Sequence, residues 1–258
     1  MPRILYERCP LCGDESKPQH VREADCSQHP LSCAAIEPIM RWLRCSGCEH
    51  VYTDGYFDKQ QFEALKELTL QHQLPGEDFE RQRVVSARIV ERVAEHIDHG
   101  AWLDVGFGNG SLLFTAQEFG FEVTGLEMRY ENWDLMRELE IETLYRDITT
   151  LAEFDYNFAV ISMCDVLEHM PYPKQALEAA YRLLQPDGVL LLSMPHYNCT
   201  AWRLLDKFEC NPYWAELEHF HNFSRERLYE LLGECDFTPF SYHVSQRYRI
   251  CMEIIAIK

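Results

Sequence analysis

The spacing of apolar residues along this chain follows two periods, and each period predicts one kind of element. From Glu77 to Ile97, apolar side chains recur in steps of four at Val85, Ile89 and Val93, which predicts an amphipathic helix with one buried face. Short apolar runs of strand length follow, and they read AWL, FEV, FAVISM and VLLLSM. Helix-like segments separate these runs, so the pattern predicts an α/β fold built on a largely parallel sheet.

The turn between the first of these strands and the next helix carries the heptapeptide DVGFGNG. Its three glycines, Gly106, Gly108 and Gly110, let the backbone turn sharply and let a ligand approach without meeting a Cβ atom. A dinucleotide-binding fingerprint would need a glycine where Ser111 stands. Asp104, at the strand tip, would repel a pyrophosphate and attract a ligand that carries an ammonium and a sulfonium. The loop therefore predicts binding of S-adenosylmethionine.

This loop and the segments after it resemble the class I S-adenosylmethionine-dependent methyltransferases, from about Ala101 to the C-terminus. The resemblance rests on FEVTGLEM, LYRDITTL, DVLEHM and LLQPDGVLLLSMP, in the order that the family expects. It implies a Rossmann-like seven-stranded sheet with helices on both faces, closed by a C-terminal antiparallel hairpin over residues 237–257. It also implies that Glu127 binds the ribose hydroxyls, and that Asp147 meets the adenine amino group while Ile148 packs on the ring.

The same resemblance places Cys164 and Asp165 beside the cofactor, after the fourth strand of the family's sheet. In the quinone-biosynthesis O-methyltransferases a similar pattern of an acid followed by Glu-His holds a divalent ion. Asp165, Glu168 and His169 match it position by position. Glu-His also occurs here in family members without a metal, so a divalent cation stays an open alternative to a pocket wall.

Histidine is the natural candidate for taking a proton from a hydroxyl acceptor, because its unperturbed titration lies near neutral pH. The candidates are His221, His196 and His169, in that order. The aromatic-rich insertion over residues 198–222 predicts a cover for an organic substrate, with Tyr213, Trp214 and His219 as substrate-binding residues. The alternative is that its aromatic side chains cover the sheet edge.

The N-terminal region predicts a structural zinc site. Two C-x-x-C knuckles supply four sulfur ligands, Cys9, Cys12, Cys45 and Cys48. Such a set closes a tetrahedron around zinc and leaves no open position for catalysis. The intervening residues Cys26, Cys33, His20 and His29 are predicted to be ordinary loop residues, although substitution for a knuckle thiol or a second ion stays open. The redox alternative is disfavoured, because redox C-x-x-C motifs occur singly.

These motifs divide the chain into a zinc ribbon at residues 1–56, a helical linker and cap at 57–98, and the methyltransferase domain at 99–258. With 24 basic and 42 acidic side chains, the formal net charge of −18 disfavours nucleic acid as a partner. The small basic clusters at 41–44 and 247–249 are predicted to be ordinary surface positions. No apolar run is long enough to span a bilayer, and no export signal is recognised, so a cytoplasmic location and no membrane association are expected. A small-molecule substrate is the expected partner, and a homodimer is allowed.

The sequence therefore predicts methyl transfer from S-adenosylmethionine to a hydroxyl of a sugar or another small metabolite. Transfer to carbon or nitrogen of a similar substrate is the nearest alternative. Two alternatives come from other classes of protein. One is a nicotinamide-dependent oxidoreductase, which Ser111 and Asp104 disfavour. The other is a non-catalytic adaptor that uses its zinc ribbon to recruit a partner, which the intact Asp104, Gly106, Gly108 and Glu127 disfavour.

Overall fold

A computed structural model describes residues 2–68, 78–128, 133–248 and 250–258. Its strands, in chain order, are β1 (Ile4–Leu5), β2 (Gln19–Asp25), β3 (Ile39–Arg44), β4 (Val51–Thr53), β5 (Gly55–Tyr56), β6 (Ala101–Val105), β7 (Glu122–Leu126), β8 (Glu142–Leu144), β9 (Phe158–Cys164), β10 (Leu184–Pro195), β11 (His221–Asn222), β12 (Thr238–Val244) and β13 (Cys251–Ile257). Its α-helices are α1 (Lys59–Lys66), α2 (Phe79–Ala94), α3 (Ser111–Glu118), α4 (Trp133–Glu138), α5 (Ile148–Leu151), α6 (Pro173–Leu183), α7 (Thr200–Lys207) and α8 (Arg225–Glu234).

The chain forms two compact units, and each is assembled from separated segments. Unit 1 comprises Met1–Thr69, Glu168–Lys174 and Pro195–Leu231. Unit 2 comprises the remaining segments, which are Leu70–Leu167, Gln175–Met194 and Leu232–Lys258. The division of the sequence at residues 56 and 98 stays a prediction, because these units follow contacts in space rather than continuous stretches of chain.

Unit 2 contains the predicted seven-stranded sheet. The strand order is β12-β13-β10-β9-β6-β7-β8, with β6 near the centre. The pairs β10–β9, β9–β6, β6–β7 and β7–β8 are parallel, whereas β12 and β13 form the predicted antiparallel hairpin. Every residue of β9 is buried, as expected for a strand in the interior of a parallel sheet. The carboxyl ends of the parallel strands share one edge, where open α/β sheets bind ligands.

Helix α2 packs on this sheet through the predicted apolar stripe. Ile89 and Val93 are buried in a core cluster that includes Trp102 of β6, and Val85 and Ile97 pack against that cluster. The helix begins at Phe79, and the first predicted residue, at position 77, lies outside the described part of the chain. The predicted apolar face of this helix is thus confirmed, because the residues at steps of four face the core of unit 2.

Unit 1 is built on a four-stranded sheet with the order β11-β4-β3-β2. Antiparallel pairing of β3 and β4 forms the hairpin predicted around the second cysteine knuckle. The edge strand β11 comes from the insertion, and it pairs His221 with Tyr52 of β4. The two residues of β11 therefore complete the ribbon sheet, which the sequence did not suggest.

None of the described helices combines the length and apolar content that a bilayer-crossing segment needs.

The stripe on α2 gives a direct test of the unit 2 core. Ile89 is 1% exposed, whereas Val84 on the same helix is 53% exposed. We expect Ile89→Ala to lower the free energy of unfolding by about 2–5 kcal/mol, because the truncation leaves a cavity among close-packed side chains. Val84→Ala should change it by less than about 0.5 kcal/mol. Equal effects of the two substitutions in urea denaturation would contradict the assignment of the buried face.

Candidate functional site

The glycine loop at the end of β6 has the backbone that its sequence predicts. Gly106, Gly108 and Gly110 all have positive φ, at 66°, 53° and 79°. Gly110 is the N-terminal cap of α3, so the chain passes directly from the strand through this loop into the helix. The Gly106 amide donates to the Leu126 carbonyl of β7 at 2.7 Å, which fixes the start of the turn against the neighbouring strand.

The three glycines face different surroundings. A Cβ on Gly106 would approach the Val166 side chain at 2.7 Å, and one on Gly110 would approach Met136 at 2.5 Å. On Gly108, by contrast, it would meet no heavy atom of the described residues within 4 Å. The loop is therefore packed on both sides and open at its middle glycine. An opening of this kind admits a ligand to the backbone, which a side chain would block.

Asp104 lies in β6, two residues before the first glycine of the loop. It is 3% exposed, and its carboxylate accepts a hydrogen bond from the Ser162 hydroxyl at 2.6 Å, while Trp102 donates to the same hydroxyl at 2.8 Å. Burial raises the pKa of Asp104 to about 7, against the Ser162 hydrogen bond and the positive charge of Arg247, which lower it. A cationic ligand would stabilise the ionised form of this carboxylate.

Glu127 lies on the other side of the loop, directly after β7. Its carboxylate accepts hydrogen bonds from the Gly108 amide at 3.3 Å and from the Met128 amide at 2.7 Å. An acid held in this position at the middle glycine suits a ligand with vicinal hydroxyl groups. Asp104, Gly108 and Glu127 thus form an acidic, glycine-lined cradle in unit 2. Its two carboxylates can accept hydrogen bonds from the ammonium and the ribose hydroxyls of S-adenosylmethionine, and their charge suits its sulfonium.

The other predicted cofactor residues of unit 2 lie at strand and helix ends. Asp147 caps α5 and accepts from the Thr149 amide at 2.8 Å, and Ile148 is 1% exposed. Cys164 is buried at the end of β9. Asp165 follows with a φ of 58°, and its amide donates to the Ser193 carbonyl at 2.7 Å. Their contacts with a cofactor stay predictions.

The four knuckle cysteines converge as predicted. Cys9 Sγ lies 3.7 Å from Cys48 Sγ, and Cys12 Sγ lies 3.6 Å from Cys45 Sγ. All four sulfur atoms lie within 4.8 Å of one another. Four sulfurs at zinc–sulfur distances of about 2.3 Å would stand about 3.8 Å apart in a tetrahedron, so the observed spacing fits zinc. The amides of Gly47 and Cys48 donate to Cys45 Sγ, which favours a thiolate. Cys26 and Cys33 lie outside this group.

His221 lies deep in unit 1, and both of its ring nitrogens have partners. Its Nε2 lies 2.9 Å from the Met170 carbonyl oxygen, and its Nδ1 lies 2.9 Å from His50 Nε2. A carbonyl only accepts, so Nε2 carries the proton and Nδ1 accepts from His50. Burial lowers the pKa of His221 to about 3. The imidazole is therefore neutral, and its one lone pair is already used.

His169 and His219 lie side by side, with ring centroids 4.7 Å apart. Together with Glu168 they form a group whose potential ligand atoms all lie within 4.8 Å of one another. This group has His219 where the sequence pattern suggested Asp165. The Asp165 carboxylate instead lies 3.5 Å from the Arg247 guanidinium.

The aromatic insertion contributes to the interior of unit 1. Trp214 is 5% exposed, its indole donates to Asp206 at 2.6 Å, and its carbonyl accepts from the Trp42 indole at 2.8 Å. Trp202 is buried beside it, at 5.3 Å between ring centroids. Tyr213 is half-buried. His196 is also half-buried, and burial lowers its pKa. Binding of a substrate by Tyr213, Trp214 or His219 stays a prediction.

Three residues of these sites escaped the sequence interpretation. Ser162 bonds to Asp104 from the neighbouring strand, and the only signal was a polar residue inside the apolar run FAVISM. His50 bonds to His221 across 171 positions of chain, and no local pattern predicts that. Arg247 belongs to a cluster predicted to be ordinary surface, but its side chain is only 25% exposed and pairs with Asp165.

Curated relatives match part of this chain. It is 37% identical over 103 residues to a ubiquinone biosynthesis O-methyltransferase of Alkalilimnicola ehrlichii. The aligned region covers 37% of this chain and 42% of that protein. It is 32% identical over 114 residues to the protein of the same name from Haemophilus ducreyi, covering 40% of this chain and 48% of that one. The chain thus spans about half the length, or less, of these two relatives.

Solved structures of methyltransferases share the fold. One is the 1,6-didemethyltoxoflavin-N1-methyltransferase of Burkholderia thailandensis, with a TM-score of 0.58 and 17% identity, covering 81% of this chain and 96% of that one. Another is the magnesium protoporphyrin IX methyltransferase of Synechocystis, with a TM-score of 0.53 and 16% identity. The match covers 80% of this chain and 90% of that one. The predicted class I methyltransferase fold is thereby confirmed.

A family model described as a methyltransferase domain matches residues 78–242, which is more than half of the chain. This span includes the glycine loop, Asp104, Glu127 and the Glu-His motif. The protein is therefore a member of this methyltransferase-domain family.

Proposed function

We propose that this protein transfers a methyl group from S-adenosylmethionine to a hydroxyl group of a small molecule. The observation that carries the proposal is the loop around Gly108, which is open at its middle between two carboxylates, Asp104 and Glu127. A dinucleotide pyrophosphate would meet these two negative charges unfavourably. Membership of the methyltransferase-domain family supports the same cofactor.

Each proposed cofactor contact uses a group already held in place. Glu127 accepts the ribose hydroxyls, and it is positioned for that by the amides of Gly108 and Met128. Asp104 attracts the ammonium end. Asp147 and Ile148 serve the adenine, and Cys164 and Asp165 border the cofactor. When bound, S-adenosylmethionine would supply a methyl group on a sulfonium. The acceptor oxygen would bond to that methyl carbon in line with the carbon–sulfur bond, which would break and leave a neutral thioether.

The acceptor's proton needs a base that is neutral near pH 7. His196 has a pKa lowered by burial, which keeps it neutral there, and we propose it together with His169. The two contacts of His221 support a structural role, because it would have to give up the bond from His50 before it could take a proton. His169 can act as a base only if it does not bind a metal.

A hydroxyl acceptor is favoured by the relatives, which are named as O-methyltransferases of ubiquinone biosynthesis rather than of sugars. These names give a sugar acceptor no support. Transfer to carbon or nitrogen stays the alternative. The net charge of −18 disfavours a nucleic-acid acceptor. The cytoplasmic location and a homodimer remain predictions.

We further propose that Cys9, Cys12, Cys45 and Cys48 hold a structural zinc ion, which the spacing of their sulfur atoms supports. If a divalent ion is also used in unit 1, its proposed ligands are Glu168, His169 and His219. Two imidazoles with one carboxylate suit zinc or iron better than magnesium, which prefers oxygen ligands.

The cofactor proposal predicts a difference between two glycine substitutions at positions of positive φ. Gly108 and Gly120 both have positive φ, and a Cβ added at either position would meet no heavy atom of the described residues within 4 Å. We expect Gly108→Ala to weaken S-adenosylmethionine binding by at least about tenfold in calorimetric titration, because the methyl group would occupy the cradle. Gly120→Ala, in a turn after α3, should bind normally.

Glu127→Gln is the companion variant. It keeps the shape of the side chain and removes the charge, so it should weaken binding by about tenfold, the value of a charged hydrogen bond. Undiminished binding by both Gly108→Ala and Glu127→Gln would remove the cofactor assignment.

The zinc proposal predicts one zinc ion per chain in metal analysis of the purified protein. Cys45→Ser should lose most of the zinc and lower the melting temperature. Cys33→Ser is the matched control, because Cys33 lies on the same stretch of chain and outside the ligand group, and it should keep the zinc. Full zinc occupancy in Cys45→Ser would show that other sulfurs bind the ion.

The histidine proposal predicts two classes of variant. His196→Ala or His169→Ala should lose roughly 10² to 10⁴ in turnover of any acceptor that the wild type methylates, with cofactor binding unchanged. His221→Ala and His50→Ala should each lower the free energy of unfolding by about 1–3 kcal/mol, because each leaves its buried partner without a hydrogen bond. A catalytic defect in His221→Ala without loss of stability would restore His221 as the base.

A further inference from the structure

Arg247 lies in the loop of the β12–β13 hairpin, at the edge of the unit 2 sheet where the parallel strands end. The loop is closed by hydrogen bonds from the Ser245 amide to the Cys251 carbonyl and from the Cys251 amide to the Tyr248 carbonyl. The Ser245 hydroxyl also accepts from the Arg247 amide at 3.1 Å. These contacts hold the backbone at Arg247, while its side chain extends toward Asp165, directly after β9.

The Arg247 guanidinium is placed among acidic groups. It lies 3.5 Å from the Asp165 carboxylate, and its charge acts on Asp104 and Cys164. Burial alone would lower the pKa of Arg247, but Asp165 and Cys164 raise it, so the guanidinium stays charged. Among the described residues, Arg247 is the cation whose field acts on the Asp104 carboxylate.

The contact with Asp165 leaves room for another anion. A bidentate arginine–carboxylate pair brings two N–H groups to two oxygens at about 2.7–2.9 Å, whereas here one nitrogen lies 3.5 Å from one oxygen. The Arg247 side chain is 25% exposed, whereas the Asp165 oxygen that faces it is buried. Arg247 also forms a side-chain hydrogen bond with Tyr248. Because a guanidinium has five donors, it can bind a better-matched carboxylate at this edge in addition to these partners.

The charges at this edge are complementary to an amino acid. The methionine end of S-adenosylmethionine carries an ammonium and a carboxylate on the same carbon. Asp104 offers a negative charge to the first, and Arg247 offers a positive charge beside it for the second. We propose that Arg247 binds the carboxylate of the cofactor's methionine end, so that the β12–β13 hairpin takes part in cofactor recognition. The inference rests on the proposed function, because it presumes the same cofactor.

Two compounds that differ by one group isolate this contact. S-adenosylmethionine and decarboxylated S-adenosylmethionine share the adenosine, the sulfonium and the amine, and only the first carries the carboxylate. The measurement is the dissociation constant of each compound, by calorimetric titration, for the protein and its variants. The ratio of the two constants reports recognition of the carboxylate alone.

We expect the wild type to bind S-adenosylmethionine about ten- to a hundredfold more tightly than the decarboxylated compound, as for a charged hydrogen-bonded pair. Arg247→Met should bring this ratio close to one by weakening S-adenosylmethionine binding only. Arg247→Lys keeps the charge and loses the planar fork, so its ratio should be intermediate.

Two further variants separate binding from structure. Arg88 donates to the side chain of Gln246 in the same hairpin, so Arg88→Met disturbs the hairpin without removing the cation, and its ratio should match the wild type. Asp165→Asn removes the acid that now pairs with Arg247. If Arg247 serves only to neutralise Asp165, adding Asp165→Asn to Arg247→Met will restore the ratio of the wild type. If Arg247 binds the cofactor's carboxylate, the double variant will keep a ratio close to one.

A wild type that binds both compounds equally well would overturn the assignment of Arg247 and leave the cofactor itself in place. The same holds if Arg247→Met weakens both compounds by the same factor. A wild type that binds neither compound would overturn the proposed function and this inference with it.

Discussion

The backbone turn at the end of β6 is the constraint on which the candidate site depends. Its three alternate glycines all adopt positive φ, which costs other residues free energy and costs glycine little. The turn leads the chain from β6, which lies beside the central strand β9, into α3 and leaves the middle glycine open. Because β6 pairs with β7 and β9 in parallel, the same turn brings Asp104, Ser162 and Glu127 to one edge. The chemistry of that edge follows from this geometry.

The buried carboxylate of Asp104 shows how the site balances stability against binding. A carboxylate that is 3% exposed is costly to ionise, and its pKa of about 7 reflects this cost. Ser162 and Arg247 reduce the cost without removing it. A cationic ligand gains more electrostatic free energy from a carboxylate whose charge is only partly compensated than from a carboxylate that is already fully paired. We therefore interpret the raised pKa as a sign that the site is completed by its ligand.

Unit 1 illustrates a different principle, in which distant segments of chain share one small core. The knuckle sulfurs of Cys12 and Cys45 meet across 33 positions of chain, and the bond between His50 and His221 joins the ribbon to the insertion. Trp42 and Trp214 add an indole-to-carbonyl hydrogen bond and a ring contact at 5.6 Å. A sheet of four short strands buries little apolar surface, so the hydrogen bonds and ring contacts between distant segments add to its stability.

The sequence by itself determined the features that depend on local spacing. The period of four in α2, the alternate glycines before α3, the two C-x-x-C knuckles and the final hairpin each follow from residues close together in the chain. Only the tertiary structure decided what depends on contacts between distant segments. It paired both nitrogens of His221, grouped His219 with Glu168, buried Trp214 in unit 1 and brought Arg247 to Asp165. Short motifs record which residue types are present, whereas the lone pairs and charges that remain available are set by neighbours that no local pattern reveals.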